Sequence, residues 1–294
     1  MGFAEGYLEK HVTGQRLIRK DPDPELSIIA IIPCYNESGL IKSLDSLFLC
    51  DTAGIKAEII VFINASENSG DDILIQNERT YQDTLNWIEG HAHPDLHFHV
   101  ISNNSLPSKY AGVGLARKTA MDEAVRRFSM IGNPGGIILS LDADTLLESN
   151  YLTSIYSHFL THSKSDGCSI YFEHPIEGDE FGTEIYRAII QYELHLRYYV
   201  SATAYTGYPF AVHTVGSSFA VRALAYCQHG GMNKRAGGED FYFIQKVAQN
   251  GRFSKCTTTR IIPSPRPSDR VPFGTGPAIS RILSNPGLPL HTYN

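Results

Sequence analysis

No apolar run in this 294-residue chain approaches the length of a membrane span, so no transmembrane segment is expected. Peripheral contact with a membrane surface stays open. Residues Met1 to Lys20 lack the hydrophobic centre of a signal peptide, and a cytoplasmic protein is the expectation. Cysteine is scarce: Cys34, Cys50, Cys168, Cys227 and Cys256 are odd in number, far apart and without a CxxC pair. That spacing offers neither a zinc knuckle nor a disulfide framework, and fits a reducing compartment. Excess positive charge is missing as well. A formal charge of −6 argues against general nucleic-acid binding, which needs a basic face. A phosphate ester would therefore have to be met locally, by a cation or by a few Arg and Lys residues. No internal repeat or low-complexity segment is present.

What is there is the composition of an ordinary globular protein, 42% hydrophobic and 19% charged, long enough for one large domain or two small ones. From residue 27 apolar runs alternate with helix-period segments. The pattern predicts strands at Ser27 to Pro33, Ala57 to Ile63, Leu96 to Ser102 and Gly136 to Leu141, with helices over 39–50, 70–89, 110–129 and 148–162. That order predicts an α/β fold with a doubly wound, mostly parallel sheet. The second half is less regular. It reads as a strand at Cys168 to Phe172, a helix over 180–200, a strand at Ser217 to Val221, a helix over 239–249 and a strand near 256–262. Residues 1–26 form an N-terminal extension, and 263–294 a tail. In the tail, Pro263, Pro265, Pro267, Pro272, Gly274, Gly276 and Pro277 cannot continue a helix or a central strand. The expectation is a loop lying over the domain and carrying Arg266, Asp269 and Arg270.

Three clusters carry chemistry. Gly135-Gly136-Ile137-Ile138-Leu139-Ser140-Leu141 ends in Asp142-Ala143-Asp144. In an extended chain the i, i+2 spacing turns both carboxylates to one side, at the strand edge where open α/β sheets bind ligands. Two hard oxygen ligands there suit Mg²⁺ or Mn²⁺ shared with phosphate. The plain alternative is a solvated acidic turn. At the end of the first strand, Pro33-Cys34-Tyr35-Asn36-Glu37 offers a flat, polar-edged pocket for a nucleobase and ribose; equally, it reads as a βα turn capped by Asn36 or Ser38. Gly237-Gly238-Glu239-Asp240 opens an amphipathic helix. It places two carboxylates at a helix N-terminus, where ordinary acidic capping is the simpler account.

Taken together, these segments resemble a family 2 glycosyltransferase with the GT-A fold. The match runs through Ile32-Pro33-Cys34-Tyr35-Asn36-Glu37, Glu58-Ile59-Ile60-Val61-Phe62-Ile63-Asn64, Gly112-Val113-Gly114-Leu115-Ala116-Arg117-Lys118, Asp142-Ala143-Asp144 and Gly238-Glu239-Asp240, in family order over about residues 27–262. The resemblance implies a nucleotide-diphospho-sugar donor bound by the first half and an acceptor site built by the second, around Gly216 to Asp240. It implies base and ribose contacts from Pro33, Tyr35 and Glu37, and a basic residue near the nucleotide in Arg117. Asp142 would sit near the ribose and metal, and Asp144 on the metal, Mn²⁺ or Mg²⁺. Asp240 would be the general base of an inverting reaction, supported by Glu239. Asn64 stands where the family usually has an aspartate, and offers a donor as well as an acceptor to the base. Arg266 and Arg270 could clamp the diphosphate as a lid, or be solvated tail residues. His291 is the tail histidine available as a further metal ligand.

The acceptor is left as a saccharide, a lipid-linked sugar or a small molecule. Two rivals stand beside this reading. A sugar-phosphate nucleotidyltransferase would carry a Gly-rich basic loop after the first strand, where Cys34-Tyr35-Asn36-Glu37 stands instead. A non-catalytic nucleotide-sugar-binding relative would not need all four carboxylates. His91, His93, His97 and His99 are broken by Pro94, and a metal site there is not expected. Gly112-Val113-Gly114 lacks the context of a dinucleotide fingerprint. The aromatic group Tyr192, Tyr198, Tyr199, Tyr205, Tyr208 and Phe210 is expected to lie mostly in the core.

Overall fold

β-branched and aliphatic residues dominate the first, second and fourth predicted strands, and all of them pair. In a computed structural model, residues 2–285 are described except Ala236, Gly251 and Pro272. Along the chain run α1 (Glu5–His11), β1 (Leu26–Cys34), α2 (Leu40–Phe48), β2 (Lys56–Ser66), α3 (Asp71–Gly90), β3 (Leu96–Leu106), α4 (Val113–Met130) and β4 (Ile137–Ser140). Then follow β5 (Leu146–Leu147), α5 (Tyr151–Thr161), β6 (Gly167–Phe172), α6 (Thr183–Tyr205), β7 (Phe219–Arg222), α7 (Ala223–Gln228), α8 (Glu239–Ala248), β8 (Phe253–Ile262) and α9 (Thr275–Ser284). No helix among the described residues is long and apolar enough to cross a membrane.

The strands form one sheet in the order β3-β2-β1-β4-β7-β6-β8-β5. β1 is parallel to β2 and β4, β2 to β3, and β6 to β8, while β7 is antiparallel to both β4 and β6, and β5 to β8. Alternation along β1 explains the layering. Ile28, Ala30, Ile32 and Cys34 pack with α2, α3 and α5, whereas Ile29 and Ile31 pack with α1, α4, α7 and α8. β1 and β4 run in the same direction, so their C-terminal ends open onto one edge of the sheet.

The first twenty residues are tied to α4. Tyr7 Oη donates to Asp122 Oδ1 at 2.7 Å, and the Ile18 amide donates to Glu123 Oε1 at 3.1 Å. Arg127 is fully buried; it forms an ion pair with the equally buried Glu58 of β2 and donates to the Lys20 carbonyl at 2.9 Å. Two expectations change. The tail is not loop throughout, because α9 begins within it; Pro277 falls in the first turn, where its missing N–H costs nothing. Nor do most of the aromatics of 192–210 lie in the core, although Tyr192 packs against the buried Ala188, Ile189 and Ile279. Tyr198, Tyr199, Tyr205 and Tyr208 are exposed, Tyr205 to 94%. His291 lies outside the described residues.

Removing one member of a buried ion pair strands the other. Arg127→Leu is therefore expected to destabilise the protein by about 3–5 kcal/mol, and Arg127→Leu with Glu58→Leu to recover much of that loss. Denaturant unfolding of the two variants checks both; an unchanged midpoint for the single variant would remove the pair from the list of supports.

Candidate functional site

Arg117 reaches the sheet edge from the first turns of α4, and its side chain is almost wholly buried. The guanidinium serves four acceptors: Nε donates to Glu239 Oε1 at 3.1 Å, Nη2 to Asp142 Oδ1 at 3.0 Å, and Nη1 to the Gly216 carbonyl at 3.0 Å and to Ser140 Oγ. Ser140 Oγ in turn donates to Gly216 O at 2.7 Å. Burial alone would lower the Arg117 pKa, but Asp142, Glu239 and Asp240 raise it above its ordinary value. Gly216 is required by this packing: a Cβ there would stand 2.8 Å from Arg117 Nη2 and 3.0 Å from Asp240 Oδ2.

Asp240 enters from the first turn of α8, whose N-cap, Gly238, has φ +70°. Its Oδ1 accepts the Phe241 amide at 2.7 Å. Burial and the neighbouring Glu239 push its carboxyl up to about 6, more than Arg117 and the amide lower it. The basicity that a helix N-terminus removes is thus restored by desolvation and like charge.

A second group forms around Glu37. Its buried carboxylate accepts the Gly39 amide at 2.7 Å and Arg270 Nη1 at 2.8 Å, and forms a further pair with Arg266. Burial would raise its pKa, yet these donors hold it below the usual range. Arg270 Nη1 also donates to the carbonyls of Tyr35 at 3.1 Å and Asn36 at 3.3 Å, and Arg266 Nη2 reaches Asp144 Oδ2 at 3.3 Å. Burial, Asp142 and Glu37 push Asp144 up to about 6, against the pull of the two arginines.

The predicted residues thus fall into two neighbouring groups. Asp142 belongs to the Arg117 group, and Asp144 to the Glu37 group. They lie in the turn after β4, not in an extended strand, because pairing with β1 stops near Leu141. Each carboxylate therefore meets a different arginine. Tyr35 is partly exposed beside Arg270, and Pro33 is buried in β1 opposite Phe62. Asn64 is buried, with its amide nitrogen donating to the Cys34 carbonyl at 2.8 Å. Neither Asn36 nor Ser38 caps α2; its N-cap is Gly39, held by Glu37. Asn36 instead takes φ +49°, and its amide donates to Asn77 Oδ1 at 2.9 Å.

Sequence reasoning missed Asn77 and Thr80 of α3, which shape this loop. Asn77 also donates to Asn64 O at 2.9 Å, and Thr80 Oγ1 donates to Glu37 O at 2.7 Å. Polar residues on the buried face of α3 were the available signal. The histidines of 91–99 have separate local uses: His91 stacks on Trp87, while His93 Nδ1 accepts the Asp95 amide at 3.0 Å.

No family model matches this chain, and no curated protein does. Solved structures do. The chain is similar to S. aureus TarS 1-349 in complex with UDP-GlcNAc, with a TM-score of 0.53 and 16% identity over 83% of this chain and 60% of that one. Against TarS 1-349 in complex with UDP, the TM-score is 0.51 at 16% identity, covering 81% of this chain and 60% of that chain. The fold is GT-A-like. The chain spans 60% of the length of the solved chains it matches. At that distance the likeness concerns fold, and the site rests on its own geometry.

Asp142 and Asp144 are the side chains in this region that could hold a hard cation. Asp142 and Asp144 have side chains 43% and 30% exposed, and the negative surroundings that raise Asp144 are the kind a divalent ion relieves. Among the described residues no three His, Cys, Asp or Glu side chains form a metal-binding group. An ion bound by this pair would complete its shell with phosphate oxygens and water.

Asp240 titrates near 6 in the folded protein against 3.8 for an ordinary aspartate, so between about pH 4 and 6 the folded state holds a proton that the unfolded chain has released. Stability from this group is greatest at the acid end, falls as pH rises through the window, and is lowest above 6. Asp240→Asn is expected to raise Tm by a few degrees at pH 7.5 and to change it little at pH 4.5. Thermal unfolding at both values checks this; an equal gain at both would exclude charge as its cause.

Proposed function

We propose that this chain is a metal-dependent glycosyltransferase of the family 2 type, transferring a sugar from a nucleotide-diphospho-sugar to an acceptor hydroxyl with inversion. One observation carries the reading: a single buried guanidinium, Arg117, joins the Asp142 turn to the Glu239–Asp240 helix start at the C-terminal edge of the sheet. In an open α/β sheet that edge is where ligands bind. The group assigned to the donor and the group assigned to the acceptor are therefore held in one hydrogen-bonded frame. The similar TarS structures contain UDP-GlcNAc and UDP, which makes uridine diphosphate sugars the first donors to test.

In this reading Tyr35 stacks beside the base, Asn64 backs it from the strand pair, and Glu37 accepts from the ribose. Asp142 and Asp144 would hold Mn²⁺ or Mg²⁺, which when bound supplies positive charge to the departing diphosphate. Asp240 takes the proton from the acceptor hydroxyl; the oxygen then bonds to the anomeric carbon as its bond to the diphosphate breaks. A carboxyl near 6 is ionised at neutral pH and still basic enough for that step. Glu239, locked by Arg117, fixes where Asp240 stands. Arg266 and Arg270 rest on Glu37 and Asp144, so they are positioned to exchange those carboxylates for the diphosphate when the tail closes. With the five free thiols, a nucleotide-sugar donor favours a cytoplasmic location.

A thermal-shift panel of nucleoside diphosphates and nucleotide sugars, with and without Mn²⁺, tests the donor half. One nucleotide is expected to raise Tm only with metal, and Asp144→Asn to remove most of that rise; no shift with any nucleotide would sink the assignment. Asp240→Asn should keep the nucleotide shift while turnover or donor hydrolysis falls about 10²–10⁴-fold. Retained turnover would move the base elsewhere. Metal-dependent binding by the unaltered protein with no hydrolysis of any donor would leave a non-catalytic binder.

A further inference from the structure

α8 has two working faces. Asp240, Ile244, Val247 and Ala248 turn inward, while Tyr242, Lys246 and Gln249 face out and are exposed. The outer face lines an open depression of about 520 Å³ together with Tyr208 and the loop carrying Asn233 and Arg235. None of the carboxylates described above lines it, and no Asp or Glu does.

Its chemistry is specific. Tyr208, Phe241 and Tyr242 present exposed aromatic surface, and Asn233, Gln245 and Gln249 add amide donors and acceptors. The walls are braced: Tyr208 Oη donates to Gln245 Oε1 at 3.1 Å, and Gln245 Nε2 donates to Phe210 O at 3.2 Å. The Arg235 guanidinium lies 3.9 Å from the Tyr242 ring centroid, and Lys246 shares the lining. Beside it, the Lys109 and Lys234 ammonium groups flank Tyr110 at 5.2 and 5.7 Å. Among the described residues none of these four cations has a carboxylate partner. In a chain with a formal charge of −6, an unpaired cationic strip lined with aromatics marks a place for an anion.

We propose that this groove binds an anionic glycan, a saccharide or polyol chain bearing carboxylate or phosphate groups. Sugar rings present C–H faces to aromatics and hydroxyls to amides, while the cations take the acid groups. A concave floor with three amides suits a polyhydroxylated chain better than a bilayer, which favours convex, aliphatic contact surfaces. The inference rests on the proposed transferase activity in one respect: an acceptor polymer would be held here while one of its hydroxyls reaches Asp240 on the inner face.

The test is calorimetric titration of the full chain with oligogalacturonate, a glycerol phosphate oligomer and a neutral cello-oligosaccharide, with sedimentation against phosphatidylglycerol–phosphatidylcholine vesicles in parallel. At least one anionic oligomer is expected to bind ten-fold or more tightly than the neutral one, and which of the two does so identifies the acid group. Arg235→Gln with Lys246→Gln should weaken that binding ten-fold or more, and Tyr242→Ala several-fold, with the nucleotide thermal shift unchanged. The inference is overturned if neither anionic oligomer binds, if the variants leave binding intact, or if vesicles alone bind and the variants abolish that. Glycan binding without any nucleotide shift would retain the groove and remove the donor site; a nucleotide shift without glycan binding would do the reverse.

Discussion

The interaction on which this site depends is the burial of one guanidinium. Arg117 brings a full charge to the edge of a hydrophobic sheet, and such a charge is tolerated only if its donors are met. They are met by partners from four places: β4, the turn after it, the segment before β7 and the start of α8. Because one planar fork must satisfy them all, the relative positions of Asp142, Gly216 and Glu239 are set together. Moving any one would leave a buried donor unpaired. The same constraint explains why residue 216 is glycine, since a side chain there would collide with the fork and with Asp240.

Electrostatics then separates carboxylates of similar chemistry. Glu37 is held below its ordinary range by two arginines and an amide, whereas Asp144 and Asp240 are each pushed up to about 6 by burial and negative neighbours. Glu37 is thus suited to remain a permanent acceptor. Asp144 and Asp240 carry charge at neutral pH against their surroundings, and each is stabilised by whatever brings positive charge or a proton. Binding and proton transfer are what such groups do, and the unfavourable charge is retained in the fold because Arg117, Arg266 and Arg270 offset part of it.

Much of the layout was legible in the sequence, for reasons that can be named. The strand runs ending at Pro33, Ile63 and Leu141 are almost wholly apolar because parallel strands are covered on both faces, and that signal is strong. The same runs fix where the sheet edge falls, which is why Glu37, Asp142 and Asp144 could be assigned to one region. What could not be read depends on partners distant in the chain. Asn77 and Thr80 look like ordinary helix polar residues until α3 is packed on the loop at Asn36. Two-residue β5 has no pattern to detect. Of the aromatic group expected mostly in the core, Tyr192 packs inward while Tyr198, Tyr199 and Tyr205 of α6 are exposed, and composition cannot show which positions of a helix a distant neighbour covers. The tail's prolines pointed to a loop, yet α9 forms within the tail and carries one of them, Pro277, in its first turn.

The loop from Met232 to Arg235 connects the two faces of α8. Asn233 Nδ2 donates to the Glu239 carbonyl at 3.0 Å, on the backbone of the residue that Arg117 fixes. Arg235, from the groove side, presses its carbonyl against Gly114 on α4, where any side chain would clash. Occupation of the groove would therefore bear on the segment that positions Glu239 and, through it, Asp240. Since Gly114 stands three residues before Arg117, the same loop also abuts the helix turn that delivers the guanidinium. A ligand drawn to Arg235 and Lys246 would stiffen the frame from outside, while one bound at Asp142 and Asp144 would load it from within. Both act on the same few hydrogen bonds, so any coupling between the two sites would be carried by short local contacts, with no movement of the sheet required.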